Sequence, residues 1–283
     1  MQAVRLKQIS SNRCFGGEQR FYQHTATSTQ CEMKFGVYLP PQALAGQACP
    51  ALIYLAGLTC TEDTFAIKAH AQQVAAELGL MLISPDTSPR GDAVATGDYW
   101  DIGQGAGFYV DATQAPWVSH YHMETYISQE LYGLIQQNFL PTNISLMGHS
   151  MGGHGALTLA FRHPQQFASV SAIAPIAAPM DCPWGVKAFS AYLGDDPTRW
   201  AAHDASRLVV ANGALFDEIL VDQGLNDQFL NQLGIDTFEA ACHRAGQALT
   251  LRRHAGYDHG YYFIQSVIGD HVRFHMTRLT AEA

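Results

Sequence analysis

The spacing of apolar residues changes near residue 50. Upstream of it, Cys31, Met33, Phe35, Val37 and Leu39 fall on every second position. A period of two sets them on one face of a half-buried strand, which pairs most simply in antiparallel fashion with a strand through Phe21 and Tyr22. Downstream, Ala51-Leu52-Ile53-Tyr54-Leu55 is an unbroken apolar run, as expected of a strand covered on both faces. Met81 to Ser84, Asn143 to Met147, Ser169 to Ala174, Glu218 to Val221 and Thr250 to Arg253 read as further strands. Helical spacing fills the gaps. One helix is predicted from a cap at Asp63 or Thr64 to Leu78, closed by Gly79. Another spans His122 to Phe139, with Met123, Tyr126, Ile127, Leu131, Leu134 and Ile135 on one face. Others follow Gly153 to Ala160, Thr237 to Ala245 and Tyr261 to Leu279. Strand alternating with helix predicts an α/β architecture: a mostly parallel central sheet, helices on both faces, and an N-terminal antiparallel hairpin. No repeat, low-complexity tract or Ser/Gly linker interrupts it, so 1–283 reads as one domain.

One stretch has neither period. Residues 86–121 are rich in Gly, Asp and aromatics, and loops of that length are usually functional or disordered. Its aromatics Tyr99, Trp100, Phe108, Tyr109 and Trp117 predict a packed loop beside the functional site rather than a plain surface cover. Gly103-Gln104-Gly105-Ala106-Gly107 within it is no phosphate loop, because no strand precedes it and the spacing is wrong for a dinucleotide.

Composition narrows the function classes. The chain has 283 residues, 47% of them hydrophobic, enough for a large α/β core. Its net charge is -9, with 16 Lys+Arg and no basic run, which argues against nucleic acid as a partner. Met1 to Gln8 lacks the apolar core of a signal peptide, and no apolar run reaches the length of a membrane span, so a cytoplasmic protein without a membrane partner is expected. In that setting the scattered Cys14, Cys31, Cys49, Cys60, Cys182 and Cys242, with no CxxC pair among them, read as free thiols. His271 and His275 lie four apart on a predicted helix. A solvated helix face is expected there, not a metal site.

The sharpest chemical signal is Gly148-His149-Ser150-Met151-Gly152, set between a predicted strand and a predicted helix. A G-x-S-x-G in that context is a nucleophile elbow: a strained turn that lifts a serine hydroxyl above the end of a sheet. Its glycines suit a turn with no room for side chains beside the serine. The helix behind Ser150 favours developing negative charge, and the Met151 N–H is placed to bind an oxyanion. A serine needs a base, and the base needs an orienting acid. In the α/β-hydrolase fold they follow in the order Ser, Asp/Glu, His. His259 in Gly256-Tyr257-Asp258-His259-Gly260 lies after the last strand and fits the base, with His254 as competitor. Asp222 and Asp227 both follow the strand at 218–221, and either could be the acid. Asp227 could equally cap the helix beginning at Gln228. Spacing alone does not separate them. The second oxyanion donor is expected at Leu58, in the turn Gly57-Leu58-Thr59-Cys60.

These residues, with others along the chain, resemble the S-formylglutathione hydrolase (esterase D) family. The matching segments are Ser11 to Gly17, Gly57 to Glu62, Ser84 to Gly91, Gly105 to Thr113, Gly148 to Leu157, Cys182 to Gly185, Asp222 to Leu230 and Gly256 to His259. They run in the family's order over nearly the whole chain. The resemblance implies Ser150, Asp227 and His259 as the catalytic group, Leu58 and Met151 as oxyanion donors, Trp184 lining an acyl pocket, and Cys60 beside the site but outside the triad. It implies a small thioester, S-formylglutathione, as substrate, no metal or cofactor, a role in formaldehyde detoxification, and a homodimer. Ala56 stands where the family has serine. A general short-chain carboxylesterase on the same fold is the rival reading, and a non-catalytic binding relative is a more distant one.

Overall fold

Nine strands form one sheet in the computed structural model, in the order β1-β2-β3-β5-β4-β6-β7-β8-β9. The model describes residues 6–280; Met1 to Arg5, part of the stretch read for a leader, and 281–283 lie outside it. The strands β1 (Lys7–Cys14), β2 (Gly17–Thr25) and β3 (Glu32–Leu39) run antiparallel, and β3 joins β5 (Met81–Pro85) antiparallel. From β5 onward every pairing is parallel, through β4 (Ala51–Leu55), β6 (Ile144–His149), β7 (Val170–Ile173), β8 (Ile219–Gly224) and β9 (Leu249–His254). The continuous apolar runs become the central strands because both of their faces are covered; every residue of β4, β5, β6, β7 and β8 is buried. The N-terminal hairpin is a three-stranded meander. Strand β1 has no buried residue and so carries no hydrophobic period to read.

The helices are α1 (Pro41–Leu44), α2 (Glu62–Lys68), α3 (Gln72–Leu78), α4 (Met123–Thr125), α5 (Tyr132–Phe139), α6 (Met151–Arg162), α7 (Pro183–Leu193), α8 (Ala205–Asn212), α9 (Ile235–Ala245) and α10 (Tyr261–Thr280). A π-turn, Tyr126–Leu131, joins α4 to α5, so the helix expected over 122–139 is continuous but locally widened. Helix α10 packs on α3 and against β6, β7 and β8, while α6, α8 and α9 pack together with β6, β7 and β9. Helices α7 and α8 lie between Ala174 and Glu218, where no element is named from the sequence.

Three expectations need correction. The helix read from Asp63 or Thr64 to Leu78 is two helices. Thr61 is the cap and Thr64 its reciprocal partner. The chain turns at His70, with φ +58°, and the Gln72 side chain donates to the Ala66 carbonyl left open at the end of α2. Gly79, at φ 75°, does close α3. In the 86–121 segment Phe108, Tyr109 and Trp117 are buried, but Tyr99 is 68% and Trp100 54% exposed. The third correction is the largest. His271 and His275 are fully buried at 0% exposure and face the sheet, not solvent.

They are tolerated in the core because every polar atom they bring finds a partner. Ser171 Oγ lies 2.8 Å from His271 Nδ1 and 2.7 Å from His275 Nε2. His275 Nδ1 is 2.8 Å from Ser169 Oγ, which is 2.7 Å from Ser145 Oγ. At the other end, His271 Nε2 reaches Asp222 at 3.1 Å. Asp222 also accepts both arms of Arg252, at 2.6 and 2.5 Å, and His254 Nε2 at 3.0 Å. One polar seam thus ties α10 to β6, β7, β8 and β9, the strands and helix that carry the loops of the functional site.

Burial alone would raise the Asp222 carboxyl, but hydrogen bonds from His271 and Arg252 outweigh it and hold the group well below the ordinary carboxylate range. A carboxyl lowered in the folded state contributes stability that is complete above its unfolded pKa, near 4, and is lost as pH falls below it. Asp222→Ala strands several buried donors and is expected to cost about 3–5 kcal/mol, read as a lower urea midpoint at neutral pH. The gap between variant and native protein should narrow as the same titration is repeated toward pH 3.

Candidate active site

Strand β6 ends at His149 and α6 begins at Met151, so Ser150 alone makes the turn. It does so at φ +58°, ψ -121°. A non-glycine residue there stores on the order of 1–3 kcal/mol of strain, which the surroundings must hold. They hold it from both sides. Ser150 N–H donates to the Ile173 carbonyl at 3.0 Å, and its carbonyl accepts from His154 N at 3.0 Å and Ile176 N at 3.2 Å. The glycines of the pentapeptide have separate jobs. A Cβ on Gly152 would lie 1.9 Å from the Leu55 carbonyl oxygen at the end of β4, and one on Gly148 would lie 2.1 Å from the Gly152 oxygen. Backbone touches backbone at both places, which no side chain permits.

The second candidate oxyanion loop is fixed by the 86–121 segment. Thr59, at φ +68°, donates to the Gly105 carbonyl at 2.8 Å. The Cys60 carbonyl accepts from Arg90 Nη2 at 2.9 Å and Thr87 Oγ1 at 2.6 Å. Arg90 is itself forked onto the buried Asp86 at 2.8 and 3.0 Å. Tyr109 OH donates to the Ala56 carbonyl at 2.9 Å, and His154 Nε2 lies 3.0 Å from the Phe108 carbonyl. The glycine-rich stretch is therefore a brace for the turn at Leu58. Neither Leu58 N–H nor Met151 N–H donates to a loop or turn carbonyl among the described residues, so both remain available to a ligand oxygen.

The acid left open by spacing is distinguished by contact. Asp227 Oδ2 lies 2.6 Å from His259 Nδ1 and accepts from Gln223 Nε2 at 3.1 Å, while Oδ1 accepts from Phe229 N–H at 2.8 Å. Its cap-like bond and its bond to His259 coexist on separate oxygens. Burial pushes the Asp227 carboxyl up, yet the His259 bond and the Phe229 and Gln223 donors prevail, so it stays ionised. With Nδ1 engaged, Nε2 of His259 is the nitrogen left to take a proton. The competitors pair with each other: His254 joins Asp222, whose two oxygens Arg252 and His271 also occupy.

Trp184, second residue of α7, packs its ring 4.8 Å from Phe229, and Phe229 packs edge-on 5.1 Å from His259. Trp184 N–H donates to Gln232 Oε1 at 3.0 Å. Exposed Trp100 meets the far side of Trp184 at 5.7 Å. Cys60 turns its sulfur toward Tyr261 OH, 3.9 Å away, and burial raises its thiol pKa. A raised pKa keeps it protonated and a poor nucleophile at neutral pH. From the sequence, Gln223 and Phe229 have no assigned role at the site, and Tyr109 counts only among the packed aromatics of 86–121. Gln223 and Phe229 do flank Asp227 in the chain, which is the signal that could have found them. Among the described residues no group of His, Cys, Asp or Glu side chains is arranged to hold a metal.

Gly152→Ala drives a methyl into the Leu55 carbonyl, a backbone atom with nowhere to rotate. The expected result is loss of soluble folded protein or of at least about 3 kcal/mol, beyond the usual range for a single substitution, measured as soluble yield and thermal midpoint.

A family model described as "Putative esterase" matches residues 26–275. The chain is 52% identical over 281 residues to the S-formylglutathione hydrolase of Mus musculus, covering 98% of this chain and 99% of that protein. It is 49% identical over 273 residues to the S-formylglutathione hydrolase of Paracoccus denitrificans, covering 96% and 97%. The solved structure of an S-formylglutathione hydrolase from Agrobacterium tumefaciens superposes with a TM-score of 0.94 at 45% identity, covering 96% of this chain and 99% of that one.

Proposed function

The chain belongs to the S-formylglutathione hydrolase family, and on that premise we propose that it cleaves S-formylglutathione to glutathione and formate through Ser150, Asp227 and His259. The observation that carries the residue assignment is the 2.6 Å contact of His259 Nδ1 with Asp227, together with a Ser150 held in the strained elbow geometry one residue after His149, whose ring meets the His259 carbonyl.

The chemistry follows from the atoms available. His259 Nε2 takes the Ser150 proton as Oγ attacks the formyl carbonyl. Asp227 holds the imidazole with Nδ1–H toward it and stabilises the imidazolium that forms. The carbonyl oxygen becomes an oxyanion between the N–H groups of Leu58 and Met151, at the positive end of α6. Collapse breaks the C–S bond, and His259 returns its proton to the departing sulfur. A thiol leaves more readily than an alcohol because its conjugate base is the weaker one. Water, deprotonated by His259, then attacks formyl-Ser150; the ester C–Oγ bond breaks, His259 returns its proton to Ser150 Oγ, and formate leaves. The Trp184 ring, tilted against Phe229, which in turn meets His259 edge-on, is proposed to wall a pocket that fits a formyl group and crowds longer acyl chains, with Cys60 at its edge.

The same reading extends to cell context. S-formylglutathione is the oxidised form of the formaldehyde–glutathione adduct, so its hydrolysis to formate fits formaldehyde detoxification in the cytoplasm. Among the described residues no helix is long and apolar enough to cross a membrane. A homodimer is proposed from family resemblance, and sedimentation at micromolar concentration tests it.

The decisive experiment compares S-formylglutathione with a short aryl ester. Thioester turnover is expected to dominate, and Ser150→Ala should lower kcat by at least about a thousandfold on both substrates. Asp227→Asn should cost roughly ten-thousandfold with the fold intact, because it frees the imidazole to take the wrong tautomer. Aryl-ester turnover equal to or above thioester turnover would move the assignment to a general esterase. Activity surviving Ser150→Ala would overturn the mechanism.

A further inference from the structure

His149 precedes the proposed nucleophile and takes no part in the proton transfers above, yet its side chain lies between the His259 loop and the turn at Gly57. Its Nε2 lies 3.0 Å from the backbone carbonyl oxygen of His259. A carbonyl only accepts, so Nε2 carries the hydrogen and donates. The two imidazole rings lie 4.6 Å apart and tilted by 46°. Its Nδ1 is buried with no hydrogen-bond partner. That atom faces the oxyanion turn: a Cβ built on Gly57 would lie 3.2 Å from His149 Nδ1 and 3.1 Å from Ser150 Cβ. Tyr261, the first residue of α10, packs its ring 6.2 Å away.

We propose that His149 is a positioning residue: its Nε2–H bond to the His259 carbonyl fixes the loop that aims the base at Ser150. The proposal rests on the assignment of Ser150, Asp227 and His259 given above. The logic is one of rigidity. Asp227 holds the His259 ring by one nitrogen, which leaves the ring free to swing with its backbone unless that backbone is itself held. Asn226 holds the near end of the His259 loop, donating to the Tyr257 carbonyl at 2.9 Å and accepting from Gly256 N–H at 3.0 Å, but the His259 carbonyl itself is met by His149. His149 ties it to the last residue of β6, whose neighbour Ser150 is already bonded on both sides. Nucleophile and base are thereby referred to one strand end. Burial lowers the His149 pKa well below the ordinary value, with His259 beside it adding to the effect, so the ring stays neutral and keeps its single donor. A buried acceptor left unpaired is unfavourable, and Nδ1 is left so because Nε2 points at His259.

Two substitutions separate the bond from the packing. His149→Phe keeps an aromatic ring of similar size and deletes the donor. His149→Gln places an amide N–H at similar reach and deletes the ring. If the bond positions the base, His149→Phe lowers kcat by roughly tenfold to a hundredfold, the scale of a small misplacement of reacting groups, with KM within about twofold. His149→Gln then restores most of that kcat. In the native protein the Nδ1–H proton of His259, short-bonded to Asp227, should resonate far downfield, and His149→Phe should shift or broaden it while His149→Gln keeps it. Native kcat in His149→Phe overturns the proposal. So does an equal loss in both variants, which would mean that ring packing matters and the bond does not. Should His149→Phe fail to fold, the native protein still decides the matter by nitrogen-15 spectroscopy: the Nε2–H tautomer at His149 supports the bond, and the Nδ1–H tautomer overturns it. Loss of all activity in Ser150→Ala is the control for the underlying assignment; if that variant stays active, the assignment has failed rather than the role of His149.

Discussion

Everything at the site depends on one backbone contact, the approach of α6 to the end of β4. Gly152 lies so close to the Leu55 carbonyl that a methyl carbon there would sit 1.9 Å from it. That approach fixes the height of α6 relative to the sheet, and with it the point at which the chain must reverse between β6 and α6. A single residue has to make the reversal, so Ser150 is forced to φ +58°. The strain is held by bonds to Ile173, His154 and Ile176 rather than by anything in Ser150 itself. The contact also brings the turn after β4 close to the elbow: a Cβ on Gly57 would lie 3.1 Å from Ser150 Cβ.

The surrounding segment completes this frame with carbonyl oxygens as the points of attachment. Ala56, Cys60, Gly105 and Phe108 each offer a backbone oxygen that is taken by Tyr109, by Arg90 and Thr87, by Thr59 and by His154. Fixing carbonyls in this way orients the peptide planes of the oxyanion turn while leaving the Leu58 N–H free. A side chain reaching into the turn would compete with substrate for that donor. This explains why 101–110, with no helical or strand period, is nevertheless buried at all but one position: its hydrogen bonds go to the candidate site instead of to a ladder of its own.

What could be read from the sequence follows from the same physics. The central strands were legible because burial on both faces leaves an uninterrupted apolar signature. The elbow was legible because its glycines are demanded by contact. Strand β1 was not, since it is exposed throughout and carries no apolar period. The break between α2 and α3 was missed because a side chain, Gln72, closes the helix end where a glycine or proline would have announced it. The burial of His271 and His275 was missed for a deeper reason. A histidine on a helix looks solvated until its partners are known, and the partners Ser145, Ser169, Ser171 and Asp222 come from strands remote in sequence. The choice between Asp222 and Asp227 failed on spacing for the same cause.

That last ambiguity has a physical resolution which spacing could never supply. The structure contains an Asp–His pair in each candidate position, Asp222 with His254 and Asp227 with His259. What separates them is saturation. Asp222 accepts a guanidinium fork and two imidazoles, so its charge is fully spent and neither oxygen can respond to a change on His254. Asp227 accepts two weaker neutral donors besides His259, the Gln223 amide and the Phe229 N–H. These fix the carboxylate in place without neutralising it, so its negative charge remains to stabilise an imidazolium. A base needs an acid partner with charge in reserve, and a core needs one with none. The chain places both on one strand-and-loop unit: Asp222 inside β8 ties the helix to the strands, and Asp227 in the loop beyond is the proposed acid partner of His259.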